Sequence, residues 1–417
     1  MSLIFPCTAF SSEKEIYYID ADGIINPVMA EFVTESIRSA AEAKAEAVII
    51  QLDTPGGLDL SMRDIVKAIL SSDVPIVVYV APAGSRAASA GVFITFAANV
   101  AAMAPGTNIG SAHPVAIGGG KMDEEMAKKI ENDSVAYIKG IAVKRKRNAE
   151  WAEKAVRESV NITAEEALKI NAIDLMASSP DELIGKLDGR KVELPAGERA
   201  LNTKGSPLKK VEGGLRFRIL SAISNPNVAY ILMMIGLVGI YFELSNPGLI
   251  LPGVIGAVCL VLAFYAFQTL SINYAGLLLI GLAVIFFIVE IKVTSYGLLA
   301  IAGIISLLLG SLMLFESPLP FMRLSIWVIL PAIALMTAIV LGTMYYGLMI
   351  LRRRPVSGTE GFVGAEGTVA EDFSGNEGKV FVEGEYWNAA SDDVLKKGDK
   401  VSVTEVKGLR LKVAKKT

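Results

Sequence analysis

The sequence predicts a multi-domain membrane protein: an N-terminal α/β domain, an α-helical membrane domain of about five spans, and a small C-terminal β-barrel. Three observations carry this. Up to Lys210 the composition is that of a soluble domain, with apolar strand-like runs alternating with helix-period stretches. Between Val228 and Leu351 charge nearly vanishes, leaving only Glu243, Glu290, Lys292, Glu316 and Arg323. From Arg352 onward the chain is polar again and reads as short alternating strands punctuated by glycine. The expected organisation is 13–205 for the α/β domain, 206–226 for a linker or amphipathic segment, 227–351 for the membrane domain and 358–417 for the barrel.

Composition removes several functions. Lys+Arg 40 against Asp+Glu 43 leaves a net charge of −3, whereas nucleic-acid binders usually carry a basic excess. Two cysteines, Cys7 and Cys259, cannot build a disulfide scaffold or a zinc finger. A single histidine, His113, excludes a multi-histidine metal centre. Neither a metal nor a cofactor is expected.

In the N-terminal region Glu15–Asp20 reads as a strand and Val28–Ala43 as a helix. Ala45–Leu52 and Pro75–Val80 are short apolar runs with β-branched residues, the pattern of buried strands. Met62, Ile65, Val66 and Ile69 recur at helical spacing within Leu60–Ser71. Ala87–Ala97 reads as a helix, Val100–Met103 as a short strand, and helices follow near 123–146, 150–158 and 164–170. Such alternation implies a parallel sheet inside helices, with ligands beyond the carboxyl ends of its strands.

Two loops lie there. Asp53-Thr54-Pro55-Gly56-Gly57 follows the second strand, and its glycine N–H groups can approach a reacting carbonyl. The segment Ala81–Gly91 follows the third and sets Ser89 among very small residues at a helix start, where the dipole favours negative charge. Alone, such a turn is usually only a turn, and a serine at a helix start is usually a cap, for which Ser85 is the better candidate. Lys139 adds weight: Val135, Ala136, Ala142 and Val143 stand three and four positions from it. That pattern sets it in an apolar stripe. A desolvated lysine disfavours its ammonium form and can serve as the base a serine requires. The alternative is a lysine snorkelling from a helix edge. The run Lys144–Arg147 reads as the solvated C-terminal end of the same helix rather than as a nucleic-acid or lipid site.

The apolar middle divides into segments near 227–242, 249–270, 274–291, 296–315 and 325–351, each followed by turn or charge signals. Crossing ~30 Å of hydrocarbon takes about 20 apolar residues. An odd number of spans places the flanking domains on opposite sides. Arg352, Arg353 and Arg354 then put the C-terminal domain in the cytoplasm and the N-terminal domain outside. Lys204, Lys209, Lys210, Arg216 and Arg218 oppose this by preceding the first span. Residues 1–12 are a stub without the basic start and long apolar run of a signal peptide. Glu290 reads as an interfacial partner of Lys292 rather than as part of an ion path.

In the C-terminal region Gly367–Glu371, Gly378–Glu383, Lys400–Val406 and Leu409–Val413 suggest a small barrel of about five short strands. Acidic residues throughout, Glu371 and Asp372 among them, argue against nucleic acid. Tyr386 and Trp387 are expected to pack in the barrel.

The Thr54–Gly57 turn, Ser85–Gly91 (SRAASAG), Ala104–Pro114 (APGTNIGSAHP), Ala136–Ala142 (AYIKGIA) and the barrel pattern (GKVFVEGEYW, GDKVSVTEVKGLRLKV) together resemble the NfeD-type membrane-bound serine proteases of the Clp-protease and signal-peptide-peptidase-A superfamily. The resemblance covers almost the whole chain. It implies a Clp/crotonase-like fold, a C-terminal OB-fold and a Ser–Lys dyad with no cofactor. Ser89 is then the nucleophile and Lys139 the general base. The N–H groups of Gly57 and Ala90 form the oxyanion hole, with Gly56 shaping the turn. His113 follows Ser89 by 24 residues, as the catalytic histidine of Clp protease follows its serine, so a Ser–His system remains an alternative. Otherwise His113 lines a substrate groove or is structural. The resemblance further implies an integral membrane endopeptidase acting on hydrophobic protein segments, a stomatin- or prohibitin-like partner, contact with membrane lipid and self-association. A non-catalytic membrane scaffold organising stomatin-like proteins is the competing reading; a transporter fits least.

Overall fold

The computed structural model describes residues 14–115, 123–245, 248, 250–270, 272–293, 295–315, 323–351 and 359–416. The N-terminal stub, the turns at Asn246–Pro247 and Glu316–Pro320, and Arg352–Arg354 lie outside them.

The N-terminal domain opens with β1 (Ile16–Asp22), α1 (Pro27–Glu42), β2 (Ala47–Asp53), α2 (Asp59–Ser71) and β3 (Ile76–Val80). Asn26 starts α1 by accepting the Met29 N–H at 2.9 Å, and Pro27 follows at the first helical position, where its missing N–H costs nothing. Then come β4 (Arg86–Ala88), α3 (Ala90–Ala97), β5 (Val100–Met103), β6 (Asn108–Gly110), α4 (Glu124–Lys144), α5 (Ala149–Arg157), β7 (Asn161–Thr163), α6 (Ala164–Lys169) and β8 (Leu175–Met176). The helix expected over 87–97 is shorter, because its first residues are extended as β4. The domain ends with α7 (Pro180–Leu187), β9 (Lys191–Leu194), β10 (Gly197–Ala200) and β11 (Leu208–Val211).

Six strands form a parallel sheet in the order β11-β1-β2-β3-β5-β8. Apolar residues cover both faces, which is why β2 and β3 read as unbroken hydrophobic runs. Tyr17, Ile19, Val48 and Ile50 meet α1 to α6 on one side. Ile16, Tyr18, Ala47 and Ile49 meet α7 and β9 on the other. The domain extends past the boundary expected at 205: β11 pairs in parallel with β1, Ile16 opposite Leu208.

Next come α8 (Leu215–Ile223), α9 (Pro226–Ser245), α10 (Ile250–Thr269), α11 (Tyr274–Lys292), α12 (Leu298–Leu314) and α13 (Ile326–Leu351). Among the described residues three helices are long and apolar enough to cross a membrane: Pro226–Ser245, Ile250–Gln268 and Ile326–Tyr346; the apolar stretches Tyr274–Glu290 and Leu298–Leu314 are shorter. The expectation of about five spans thus meets five apolar helices, three of them of spanning length. Glycine brings neighbouring helices together, as close helix contacts in lipid require. A Cβ on Gly239 of α9 would lie 2.8 Å from Gly256 Cα of α10, and one on Gly310 of α12 would lie 2.7 Å from Gly276 O of α11. The expected pairing of Glu290 with Lys292 falls on a side chain outside the described ones, but Glu290 itself has a role at the next helix. Its carboxylate accepts the N–H groups of Gly297 at 2.9 Å and Ala300 at 3.2 Å, capping the exposed donors at the start of α12.

The C-terminal residues form a separate closed barrel of β12 (Glu366–Val369), β13 (Glu377–Val382), β14 (Glu385–Ala390), β15 (Lys400–Lys407) and β16 (Arg410–Lys415), ordered β12-β13-β14-β16-β15. Val380, Val382, Val401, Val403 and Val413 fill it, and closure leaves no unpaired sheet edge. Trp387 packs as expected, its ring 5.0 Å from Phe362. Tyr386 does not: it is 73% exposed and lies outside the barrel against Phe381. Adjacent strand residues point to opposite faces, so both cannot enter the core.

Candidate active site

The site forms where the turn after β2 meets β4. Thr54 N–H donates to Arg86 O at 2.8 Å and Ala88 N–H to Thr54 O at 3.0 Å, so β4 runs beside the turn. The turn holds itself by the Gly56 N–H donating to the Thr54 hydroxyl oxygen at 3.0 Å. Its glycines are required by close approach. A Cβ on Gly56 (φ +119°) would lie 2.7 Å from Ser89 Cβ, and one on Gly57 would lie 2.1 Å from Ile25 O. Gly57→Ala is therefore expected to displace the turn and remove probe labelling of Ser89, checked by fluorophosphonate labelling of the full-length protein. Full labelling in the variant would show that the turn need not approach so closely.

Ser89 stands between β4 and α3 with φ 51°, a conformation strained for a residue with a Cβ. Its N–H donates to Gly110 O at 3.1 Å. It occupies the N-cap position of α3 without a side-chain capping bond. Ser85, the expected cap, is buried ahead of β4. Ser89 and Ala90 open onto a groove of about 670 Å³ lined by Gly57, by apolar Met62, Phe93, Val115, Met126 and Ile130, and by the charged Asp59, Arg63, Lys129 and Asp133. Gly56, Gly57, Ser89 and Ala90 thus come together around one groove end.

Lys139 does not join them. Its amine donates to Glu153 of α5 at 2.6 Å, with the side chain 46% exposed. The stripe inferred around it is misread: Ala136 and Val143 are exposed, and α4 buries Ser134, Val135, Ile138, Ile141 and Ala142 instead. The lysine lining the groove is Lys129, one of a helical set with Met126, Ile130, Asp133 and Ser134. Ten residues along a helix amount to about 15 Å, so Lys139 lies nearly three turns beyond Lys129, beside α5 rather than at the groove. The signal for Lys129 was the recurrence of these residues at three- and four-residue spacing, hidden within a strongly charged stretch.

Lys139 instead belongs to a clamp between α4 and α5. Arg157 joins Glu153 at 2.9 Å and Glu131 at 2.6 Å. Hydrogen bonds from Lys139 and Arg157 hold the Glu153 carboxyl below its ordinary range. A depressed carboxylate stabilises the fold above its unfolded value and loses that contribution as pH falls through the folded one. Hydrogen-exchange protection of α4 near residue 139 should fall as pH drops below 4.5 and be reduced already at neutral pH in Glu153→Gln. Protection independent of both would remove the clamp.

His113 does not line the groove, though Ala112 and Pro114 do. Its Nδ1 lies 3.0 Å from Val156 O, holding this segment to α5. The run Lys144–Arg147 is only partly solvated. Arg145 donates to Ala97 O at 2.8 Å and Arg147 to Phe96 O at 2.6 Å, so both satisfy carbonyls at the far end of α3. Burial lowers the Arg145 guanidinium to about 10. Across the groove Arg63 pairs with Asp59 at 2.8 Å and with Asp133, and lies 4.4 Å from the Tyr137 ring centre, tying α2 to α4. Among the described residues no cluster of histidine, cysteine and carboxylate side chains could hold a metal.

Family models match along the chain: the NfeD1b N-terminal domain over residues 15–191, the NfeD integral membrane domain over 227–346, and the NfeD-like C-terminal, partner-binding domain over 359–415. A membrane-bound protease of Pyrococcus horikoshii is 33% identical, the match covering 99% of this chain and 96% of that one. The chain belongs to the NfeD family. It is a membrane protease, as expected, and the expected C-terminal barrel is present. The NfeD1b membrane protein of Bacillus subtilis is 26% identical over 97% of this chain and 94% of its own. A solved structure of a membrane-bound stomatin-specific protease, a lysine-to-alanine mutant in complex with a substrate peptide, matches at 33% identity and TM-score 0.48, covering 51% of this chain and 98% of that one.

Proposed function

We propose that this NfeD-family protein is a membrane-anchored endopeptidase using Ser89 as nucleophile and Lys129 as general base on apolar protein segments. The observation carrying this is a single groove holding a strained serine at a helix start, the glycine turn pressed against it, and a lysine on its α4 wall. A substrate segment filling the groove excludes water from the reacting groups. Neutral Lys129 takes the hydroxyl proton as Ser89 Oγ attacks the peptide carbonyl. The N–H groups of Gly57 and Ala90, with the start of α3 behind them, hold the oxyanion. Lys129 then protonates the leaving amine, and a water hydrolyses the acyl-enzyme. Lys139 and His113 act on this centre only by placing α4 and the groove wall.

The relative's stomatin specificity and the partner-binding description of the C-terminal domain support a stomatin-like membrane protein as partner and substrate. The arginines that follow the last apolar segment support an extracytoplasmic protease domain and a cytoplasmic barrel, and self-association is part of the same reading. The test is incubation of the full-length protein in lipid nanodiscs with peptides covering apolar stretches of such a partner. Internal cleavage and an acyl adduct on Ser89 are expected. Cleavage without any adduct at Ser89 would overturn the assignment; intact peptides with retained partner binding would favour the scaffold.

A further inference from the structure

We infer that α8 is an interfacial anchor which lies in the anionic lipid headgroup layer and seats the protease domain against the membrane. One face of α8 is spent inside the protein: Phe217 packs on Phe32 of α1 with ring centres 4.3 Å apart, and Leu220, one turn on, is half-buried beside it. The opposite face carries a stripe at helical spacing, Leu215 at 75% and Ile219 at 47% exposure, continued by exposed Ala222. Arg216 and Arg218 flank it, both largely exposed. An apolar stripe bordered by arginines is the composition of a helix lying in a membrane surface.

The covalent chain places that surface. Only Ser224 and Asn225 separate α8 from α9, and three steps of ~3.6 Å hold the end of the helix within about 11 Å of the first span. That end of the bundle is defined by several contacts. Ser325 N–H donates to Asn227 Oδ1 at 2.9 Å, joining the starts of α13 and α9. The Tyr230 and Ser311 hydroxyls are 2.8 Å apart, and Asn273 N–H donates to Leu314 O at 2.9 Å, bringing in the end of α12 and the start of α11. The boundary between lipid and water therefore falls at the level of α8, with its apolar stripe uncovered by protein. Arg216 pairs with Glu31 at 2.6 Å and Arg218 with Glu212 at 2.9 Å. Such exposed pairs are weak, and a guanidinium has further donors for a phosphate. This also accounts for Arg216 and Arg218 among the basic residues ahead of the first span, which the catalytic site leaves unused.

The test uses full-length protein with Cys7 and Cys259 replaced by serine and one environment-sensitive fluorophore on a cysteine at either Ile219 or the exposed Glu198. It is reconstituted in phosphatidylcholine vesicles with or without phosphatidylglycerol, some carrying brominated acyl chains. Quenching by brominated lipid at position 219 is expected to exceed that at 198 at least twofold. It should also rise with phosphatidylglycerol and lose that rise in Arg216→Glu/Arg218→Glu. Equal quenching at the two positions would overturn the anchor. Quenching at 219 that ignores both phosphatidylglycerol and charge reversal would overturn the headgroup role. Retained fluorophosphonate labelling of Ser89 in every variant shows that the domain is folded, and this readout separates the anchor from the catalytic assignment.

Discussion

Ser89→Ala and Lys129→Ala are expected to remove peptide cleavage while Lys139→Ala and His113→Ala keep most of it. The serine variant should be silent above background, since no other group supplies the acyl acceptor. The Lys129 variant should fall by about 10²–10⁴, the usual worth of a positioned acid–base group. Because both residues act in one proton-transfer unit, the double variant should be no worse than Ser89→Ala. Lys139→Ala should lose only what a loosened α4 costs, since its partner Glu153 remains tied to Arg157. The measurement is kcat/KM on an apolar peptide together with the rate of fluorophosphonate labelling. A Lys139→Ala variant as inactive as Ser89→Ala, with Lys129→Ala active, would return the base to the position favoured by the AYIKGIA motif.

Arg147→Ala is expected to be the most damaging single change outside the site, costing about 3–5 kcal/mol, as breaking a buried ion pair from one side does. The guanidinium is buried. It donates to Phe96 O at 2.6 Å and Ala98 O at 3.0 Å and pairs with Asp174. Asp174 in turn accepts the Ala101 N–H of β5 at 2.6 Å. Removal leaves two helix-end carbonyls and a carboxylate without their donor. Since α3 begins at Ser89, loosening its other end should also slow labelling of the serine. Native-state hydrogen exchange of α3 and β5 amides in the full-length protein checks the first effect, and labelling kinetics the second. Unchanged exchange in both elements would show that water replaces the arginine.

The parts readable from the sequence share a cause. Ser89 and the Thr54–Gly57 turn were legible because local backbone demands select glycine and alanine there, and those demands act over a few residues. The apolar segments and the barrel strands were legible for the same reason, since periodicity and turn residues are local. The edge strand β11 was not: Leu208-Lys209-Lys210-Val211 is half charged, as edge strands tolerate, and its partner β1 lies far back along the chain. Tyr386 and Trp387 were equivalent in composition until the strand's pleat separated them.

By itself, then, the sequence determined the order of domains and the meeting of Ser89 with the Thr54–Gly57 turn, because each is written in local composition and spacing. Only the tertiary structure decided which lysine of α4 lines the groove that Ser89 opens onto. That choice depends on how the helix is rotated against α2, α3 and α5, and its rotation is set by the burial of Val135, Ile138, Ile141 and Ala142 and by the Arg63 and Glu153 ion pairs. A motif names residues, whereas the packing of a whole helix face selects the one that reaches the substrate.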